Sequence, residues 1–182
     1  VGPKAKGAID INKSPKENME SVAKALGKDP SELTIVMLDR ERHQHIVKAA
    51  RELGASCKFI SDGDVSPVIA TSFGVEGIDM MMGKGGAPEG VIAAAAIKCM
   101  GGDMQGRLVP ENDEEVKRVH DMGIEDVNKV LTLDDLVSTD DVCFIATGVT
   151  NGDMLRGVRF TENHAITHTV VMRGTTGTVR FI

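Results

Sequence analysis

Four short polar stretches carry the residue types from which a site could be built. Asp39-Arg40-Glu41-Arg42-His43 sets two guanidiniums two positions apart. Paired N–H donors of that kind suit a phosphate or a carboxylate, although the same run also reads as a solvated helix start with internal ion pairs. Asp62-Gly63-Asp64 is either a carboxylate pair that accepts hydroxyls or holds a divalent cation through oxygen, or a turn whose Asp64 caps the next helix. Gly83-Lys84-Gly85-Gly86-Ala87-Pro88-Glu89-Gly90 brings backbone close to a ligand and opens a helix whose N-terminus attracts anions. It matches neither the GxGxxG fingerprint nor the GxxxxGK[ST] phosphate loop. Glu89 there either complements the helix dipole, worth roughly 0.3–1 kcal/mol, or stands as a metal ligand at the mouth of a site. Thr147-Gly148-Val149-Thr150-Asn151-Gly152-Asp153 either lines the same crevice or is a polar turn.

Other chemistries find less support. His43 and His45 point apart at i, i+2 on a helix, and His164 and His168 share one face of a strand. Cys57, Cys99 and Cys143 are far apart with no CxxC pair, so they read as reduced core thiols of a cytoplasmic protein rather than zinc ligands. The formal net charge of −6 and the absence of Trp and Tyr argue against nucleic-acid binding, which wants a basic face and stacking rings. No apolar run approaches the roughly 20 residues that a bilayer requires, so no membrane span is expected.

The elements that must position these clusters follow from periodicity. Ser14-Pro15 with Glu17 forms a capping box and starts a helix that Gly27 stops. Leu33–Leu38 reads as a buried strand, Glu41–Leu53 as an amphipathic helix ended by Gly54, and Cys57–Ile60 as the next strand. Val65–Ala70 is a short helix or turn, Ile78–Met82 a strand, and Pro88–Met100 a helix ended by Gly101-Gly102. A strand at Met104–Val109, helices at Glu114–Met122 and Leu133–Val137, and a strand at Val142–Thr147 follow. Leu155–Phe160, Ala165–Arg173 and Thr178–Ile182 read as an antiparallel meander closing the sheet. The alternation gives an α/β class with a mixed, mainly parallel sheet flanked by helices. The 182 residues, 41% hydrophobic and 26% charged, suffice for a single domain over 1–182. The polar clusters then fall at carboxyl ends of strands, where open α/β sheets bind ligands.

Taken together, these clusters resemble the C-terminal half of the class II fructose-1,6-bisphosphatases, the bacterial type that includes dual fructose/sedoheptulose bisphosphatases. The likeness runs from Val1-Gly2-Pro3-Lys4-Ala5-Lys6-Gly7-Ala8-Ile9-Asp10 through Asp62-Gly63-Asp64 and Gly85-Gly86-Ala87-Pro88-Glu89-Gly90-Val91. It continues through Gly102-Asp103-Met104-Gln105-Gly106-Arg107-Leu108 to the Ala146–Asp153 stretch. The resemblance implies metal-dependent hydrolysis of the 1-phosphate of fructose 1,6-bisphosphate in gluconeogenesis, with Mn2+ or Mg2+. It implies the C-terminal half of a layered α/β/α/β/α sugar-phosphatase fold; a sheet face that the other half would cover leads to the expectation of a homo-oligomer.

By position, Arg40, Glu41, Arg42, Asp62, Gly63, Asp64 and Gly86 would contact the sugar bisphosphate, and Glu89 would bind metal. Many members of the family carry lysine and proline where Arg40 and Glu41 stand. Lys84 replaces an apolar residue found in some members. The family's other metal carboxylates, its catalytic threonine and a substrate tyrosine precede the segment matched here. The expectation is therefore a chain with no catalytic residue of its own, inactive until an N-terminal half joins it. The alternative is a noncatalytic sugar-phosphate-binding or oligomerisation module. An inositol phosphatase of the same fold is disfavoured by Asp62-Gly63-Asp64 followed by Gly85–Val91.

Overall fold

A computed structural model describes residues 1–74, 77–152 and 154–182. Helix α1 (Pro15–Leu26) starts as expected: the Ser14 side chain accepts from the Glu17 N–H, and the Glu17 carboxylate accepts in return from the Ser14 N–H. Gly27 ends it in the left-handed region at φ 67°, where only glycine rests without strain. Strand β1 (Thr34–Leu38) follows, then a 3-10 turn over Glu41–His43, helix α2 (Gln44–Leu53) and strand β2 (Ser56–Ile60). Helix α3 (Val65–Phe73), strand β3 (Met80–Met81) and helix α4 (Ala87–Cys99) complete the first part.

β1 lies at the centre of a parallel sheet ordered β2-β1-β3, paired from Thr34↔Ser56 to Leu38↔Ile60 and at Ile35↔Met80. A central parallel strand is covered on both faces, and its continuous apolar run reflects that. Ile35 and Met37 face the α1–α2 layer, packing with Met19, Val22, Ile46, Val47 and Ala50. Val36 faces the other way, onto Ala70 of α3 and Ile78.

The second part holds strand β4 (Gln105–Gly106), helix α5 (Asp113–Asp121), strand β5 (Leu131–Thr132), helix α6 (Leu133–Leu136) and strand β6 (Cys143–Thr147). Strands β7 (Arg159–Phe160), β8 (Ala165–Ile166), β9 (Thr169–Arg173) and β10 (Thr178–Phe181) end the chain. The α/β class holds, but the C-terminal strands do not close the parallel sheet. They form their own antiparallel sheet, ordered β10-β9-β6, while β4–β5 and β7–β8 are two-residue ladders. β3 pairs over only two residues before the chain leaves at Gly83. That short edge offers little ladder to a further strand.

Phe144, Val170 and Met172 of the second sheet pack on Ile69 of α3 and on Ala96 and Cys99 of α4. The layers thus run α1/α2, parallel sheet, α3/α4, antiparallel sheet. Strand alternation sends Cys143 and Ile145 to the outer face, where Ile145 is 63% exposed. Of the three thiols only Cys99 is a core residue; Cys57 is half-buried and Cys143 exposed, all three free.

One buried polar contact ties α1 to the sheet. Asp79, 8% exposed at its side chain, accepts from Lys28 Nζ at 2.6 Å and from the Thr34 N–H at 2.9 Å. Asp79→Ala leaves the first N–H of β1 and a half-buried ammonium without their acceptor. Breaking a fully buried pair costs about 3–5 kcal/mol, and the partial exposure of Lys28 lowers the expectation to about 2–3 kcal/mol. A urea titration should show a lower midpoint at unchanged slope.

Candidate functional site

The carboxyl ends of the three parallel strands converge, and the segments leaving them build the site. β1 runs into Asp39–His43, β2 into Ser61–Asp64 and β3 into Gly83–Gly86. Between them and the segment 103–105 lies a cavity of about 240 Å3, lined by His43, Asp64, Lys84, Gly86, Glu89 and Met104 among others. Its mouth is open on the α4 side, where Gly85, Gly86 and Glu89 are exposed.

Two carboxylates meet at this mouth, and two glycines make room for them. Asp64 precedes α3, but its side chain makes no capping hydrogen bond, so the turn-and-cap role does not occupy it. Its Oδ2 lies where a side chain on Gly85 would begin, and the Glu89 Oε2 lies where one on Gly86 would begin. Gly86 is the residue before α4, and Pro88 and Glu89 fill the helix's first turn.

Partial burial, reinforced by the negative charges of Glu89 and Asp62, raises the Asp64 carboxyl above its ordinary value. Two consequences follow. In a pH titration followed by carboxyl NMR, Asp64 should take its proton above the usual aspartate range, and Glu89→Gln should lower that midpoint. Since the protonated acid is a poor cation ligand, any divalent cation held by Asp64 would bind more weakly as pH drops through the raised midpoint.

Carboxylate oxygens suit hard divalent cations. Among the described residues, however, no group of three or more His, Cys, Asp or Glu side chains is arranged to hold a metal. Asp64 and Glu89 fit such an ion in kind and fall short of the roughly six oxygens it takes.

The basic residues gather beside this cavity. A neighbouring groove is lined by Lys13, Arg42, His45 and Lys84, without a single acidic side chain, in a chain with 27 acidic and 21 basic residues. Cavity and groove share the wall of His43, Met82, Gly83 and Lys84. Arg40 and Arg42 do not act as one pair. Arg40 reaches the Ser61 carbonyl at 3.0 Å, toward the end of β2, whereas Arg42 Nη2 donates to the Lys84 carbonyl at 2.8 Å. Lys84 Nζ pairs with Glu111 at 2.8 Å.

The structure therefore brings Asp64, Gly86 and Glu89 together in the cavity and sets Arg42 in the groove. Arg40, Glu41, Asp62 and Gly63 stand exposed on the surrounding loops and line neither. Asp62 accepts from the Gly63 N–H at 2.8 Å, with Gly63 at φ 76°. Thr147–Gly152 lies at the end of the antiparallel sheet, where the Gly148 N–H donates to the His168 carbonyl, and lines neither space; Asp153 falls outside the described residues.

Sequence reasoning missed the role of His43, which is 2% exposed and bonds main chain through both ring nitrogens. It also missed Gln105. That side chain accepts from the Ile11 N–H at 2.9 Å and donates to the Ile9 carbonyl at 3.1 Å, fixing the segment that walls the cavity. Only its place beside Met104 in the Gly102–Leu108 stretch could have drawn attention to it.

Residues 1–182 match the family described as bacterial fructose-1,6-bisphosphatase, glpX-encoded. The chain is 41% identical over 192 residues to the D-fructose 1,6-bisphosphatase class 2/sedoheptulose 1,7-bisphosphatase of Synechococcus sp. (strain JA-3-3Ab), covering 99% of this chain and 55% of that protein. It is 42% identical over 195 residues to the fructose-1,6-bisphosphatase class 2 of Haemophilus influenzae, covering 100% of this chain and 58% of that one. The chain thus spans a little over half the length of these curated relatives. Among the described residues no helix is long and apolar enough to cross a membrane. With a match that runs from its first residue to its last, the chain belongs to the bacterial glpX-encoded fructose-1,6-bisphosphatase family.

Proposed function

We propose that this chain forms the substrate-binding half of a metal-dependent sugar-bisphosphate phosphatase. In that reaction water attacks the 1-phosphate of fructose 1,6-bisphosphate, the P–O bond to the sugar breaks, and fructose 6-phosphate and inorganic phosphate leave. The observation that carries this reading is the juxtaposition, across one shared wall, of a carboxylate-lined cavity with a groove lined by Lys13, Arg42, His45 and Lys84, where Glu111 pairs with Lys84. A bisphosphate needs both: oxygen donors for the cation at the reacting phosphate, and fixed cations for the distal one.

In this reading Glu89 is a metal ligand, Asp64 beside it contacts the sugar, and Arg42 faces the distal phosphate. Gly86 keeps the backbone low enough for the sugar. Arg40, Glu41, Asp62 and Gly63 rim the entrance. Mn2+ or Mg2+ would polarise the phosphoryl oxygens and activate water. The remaining carboxylates and the catalytic residue come from an N-terminal half that closes over the exposed Glu89 side. Residues 1–182 act as one domain and work in the cytoplasm, in gluconeogenesis, in a homo-oligomer.

A second reading, a noncatalytic sugar-phosphate-binding or oligomerisation module, is favoured by the lack of a three-residue metal cluster among the described residues. The experiment is calorimetric. Fructose 1,6-bisphosphate with Mn2+ is titrated into the chain alone, and into the chain joined to the N-terminal half of a class II relative. The phosphatase reading expects weak binding to the chain alone and turnover only in the joined protein. Tight binding to the chain without turnover in either sample would favour the module.

A further inference from the structure

We infer that His43 is the positioning residue of this site, holding the glycine-rich loop, and through it Gly86 and Glu89, against the end of β1. The inference rests on the reading of the cavity given above for its functional meaning, but the geometry stands by itself. The imidazole is buried, and its two nitrogens serve two segments far apart in sequence. Nε2 accepts from the Lys84 N–H at 2.9 Å, so the ring proton sits on Nδ1, which donates to the Leu38 carbonyl at 2.8 Å. Leu38 is the last residue of β1, and Lys84 lies in the loop that leaves β3. The ring is a bolt between them.

Two further contacts make the bolt specific. Gly83 packs so closely on the ring that a Cβ there would lie 3.0 Å from His43 Cε1. The Lys84 carbonyl accepts from Arg42 Nη2 at 2.8 Å. Consecutive residues Arg42 and His43 therefore grip the carbonyl and the N–H of one loop residue. The loop ends at Gly86, the residue before α4, and Glu89 sits in that helix's first turn. A displacement of Lys84 is thereby passed both to the guanidinium in the groove and to the carboxylate at the cavity mouth. Leucine at position 43 would fill the space without either hydrogen bond. Glutamine carries one donor and one acceptor on its terminal amide and is the conservative replacement.

The test uses the full chain, labelled with 15N, and needs no substrate. A scalar coupling between the Lys84 amide nitrogen and His43 Nε2 is expected in the unsubstituted protein. His43→Leu should speed amide exchange at Lys84 about tenfold or more while leaving the Ile35–Met37 amides unchanged, and His43→Gln should restore most of the protection. A titration with inorganic phosphate should show weaker binding in His43→Leu than in His43→Gln. Absence of the coupling would overturn the inference, and so would unchanged exchange at Lys84 in His43→Leu. Equal acceleration at Lys84 and throughout β1 would also overturn it, because that pattern belongs to a residue that merely stabilises the fold. Failure of the phosphatase reading would leave the coupling and exchange results in place.

Discussion

In the chain joined to the N-terminal half of a class II relative, Gly86→Ala is expected to cut phosphate release by about a hundredfold while leaving the unfolding midpoint in place. The two halves of that expectation have different causes. At φ −71°, ψ 142° the Gly86 backbone is extended and accepts alanine without strain. The only atoms that crowd the new Cβ belong to the Glu89 carboxylate, the free end of a flexible side chain, which yields at little cost to the fold. The cost falls on function. If Glu89 is the proposed metal ligand, pushing its carboxylate aside by about 1 Å is enough for a hundredfold loss. Gly85→Ala should act likewise on Asp64, whose Oδ2 fills the corresponding space. Measuring kcat/KM and the urea midpoint on the same preparations checks both halves. A stability loss that tracks the loss of activity would show that these glycines serve the backbone instead.

Glu89→Gln should have the larger effect, about a thousandfold or more, on the chain joined to an N-terminal half. The amide keeps the volume and removes the charge, and a metal site's stabilisation of a phosphoryl transition state is worth several kcal/mol. If Glu89 served only the dipole of α4, its loss would cost roughly 0.3–1 kcal/mol of stability and leave turnover intact. Calorimetric Mn2+ binding alongside the rate separates the two roles. Loss of Mn2+ affinity together with the rate supports the ligand role, whereas a lower melting temperature at full rate supports the dipole role.

The local part of this fold was legible in the sequence because local interactions set it. The Ser14–Glu17 box, Gly27 and Gly54 mark helix ends by capping chemistry, and α1 and α2 stop at those glycines. The continuous apolar run that became β1 announced a strand covered on both faces. Pairing between distant strands was not legible. The alternation predicts one mixed sheet, yet β6 takes β9 as its partner in a separate antiparallel sheet, and nothing in Cys143–Thr147 distinguishes the two outcomes. The segment 155–166 forms only the β7–β8 ladder, because strand-like composition does not fix a partner.

The site divides in the same way. The glycine stretch was readable as a backbone approach next to a helix start, and the cavity forms there. That Asp64, but not Asp62 or Gly63, enters the cavity depends on the direction of the turn, which the Asp62–Gly63–Asp64 triplet leaves open. The spacing of the arginines suits a paired anion clamp as well as a solvated helix start. The fold sends them to different carbonyls because the turn between β1 and α2 is a 3-10 turn over Glu41–His43. His43 looked unremarkable beside them, since its meaning depends on an N–H that is 41 positions away.

Phosphate release from fructose 1,6-bisphosphate with Mn2+, measured on this chain alone and on the chain joined to an N-terminal half of a class II relative, decides whether the chain is half of a divided site. Release from the joined protein only, abolished by Glu89→Ala, is the expected result. Release from the chain alone at the rate of the joined protein would contradict it, because the two carboxylates at the cavity mouth would then suffice without further ligands.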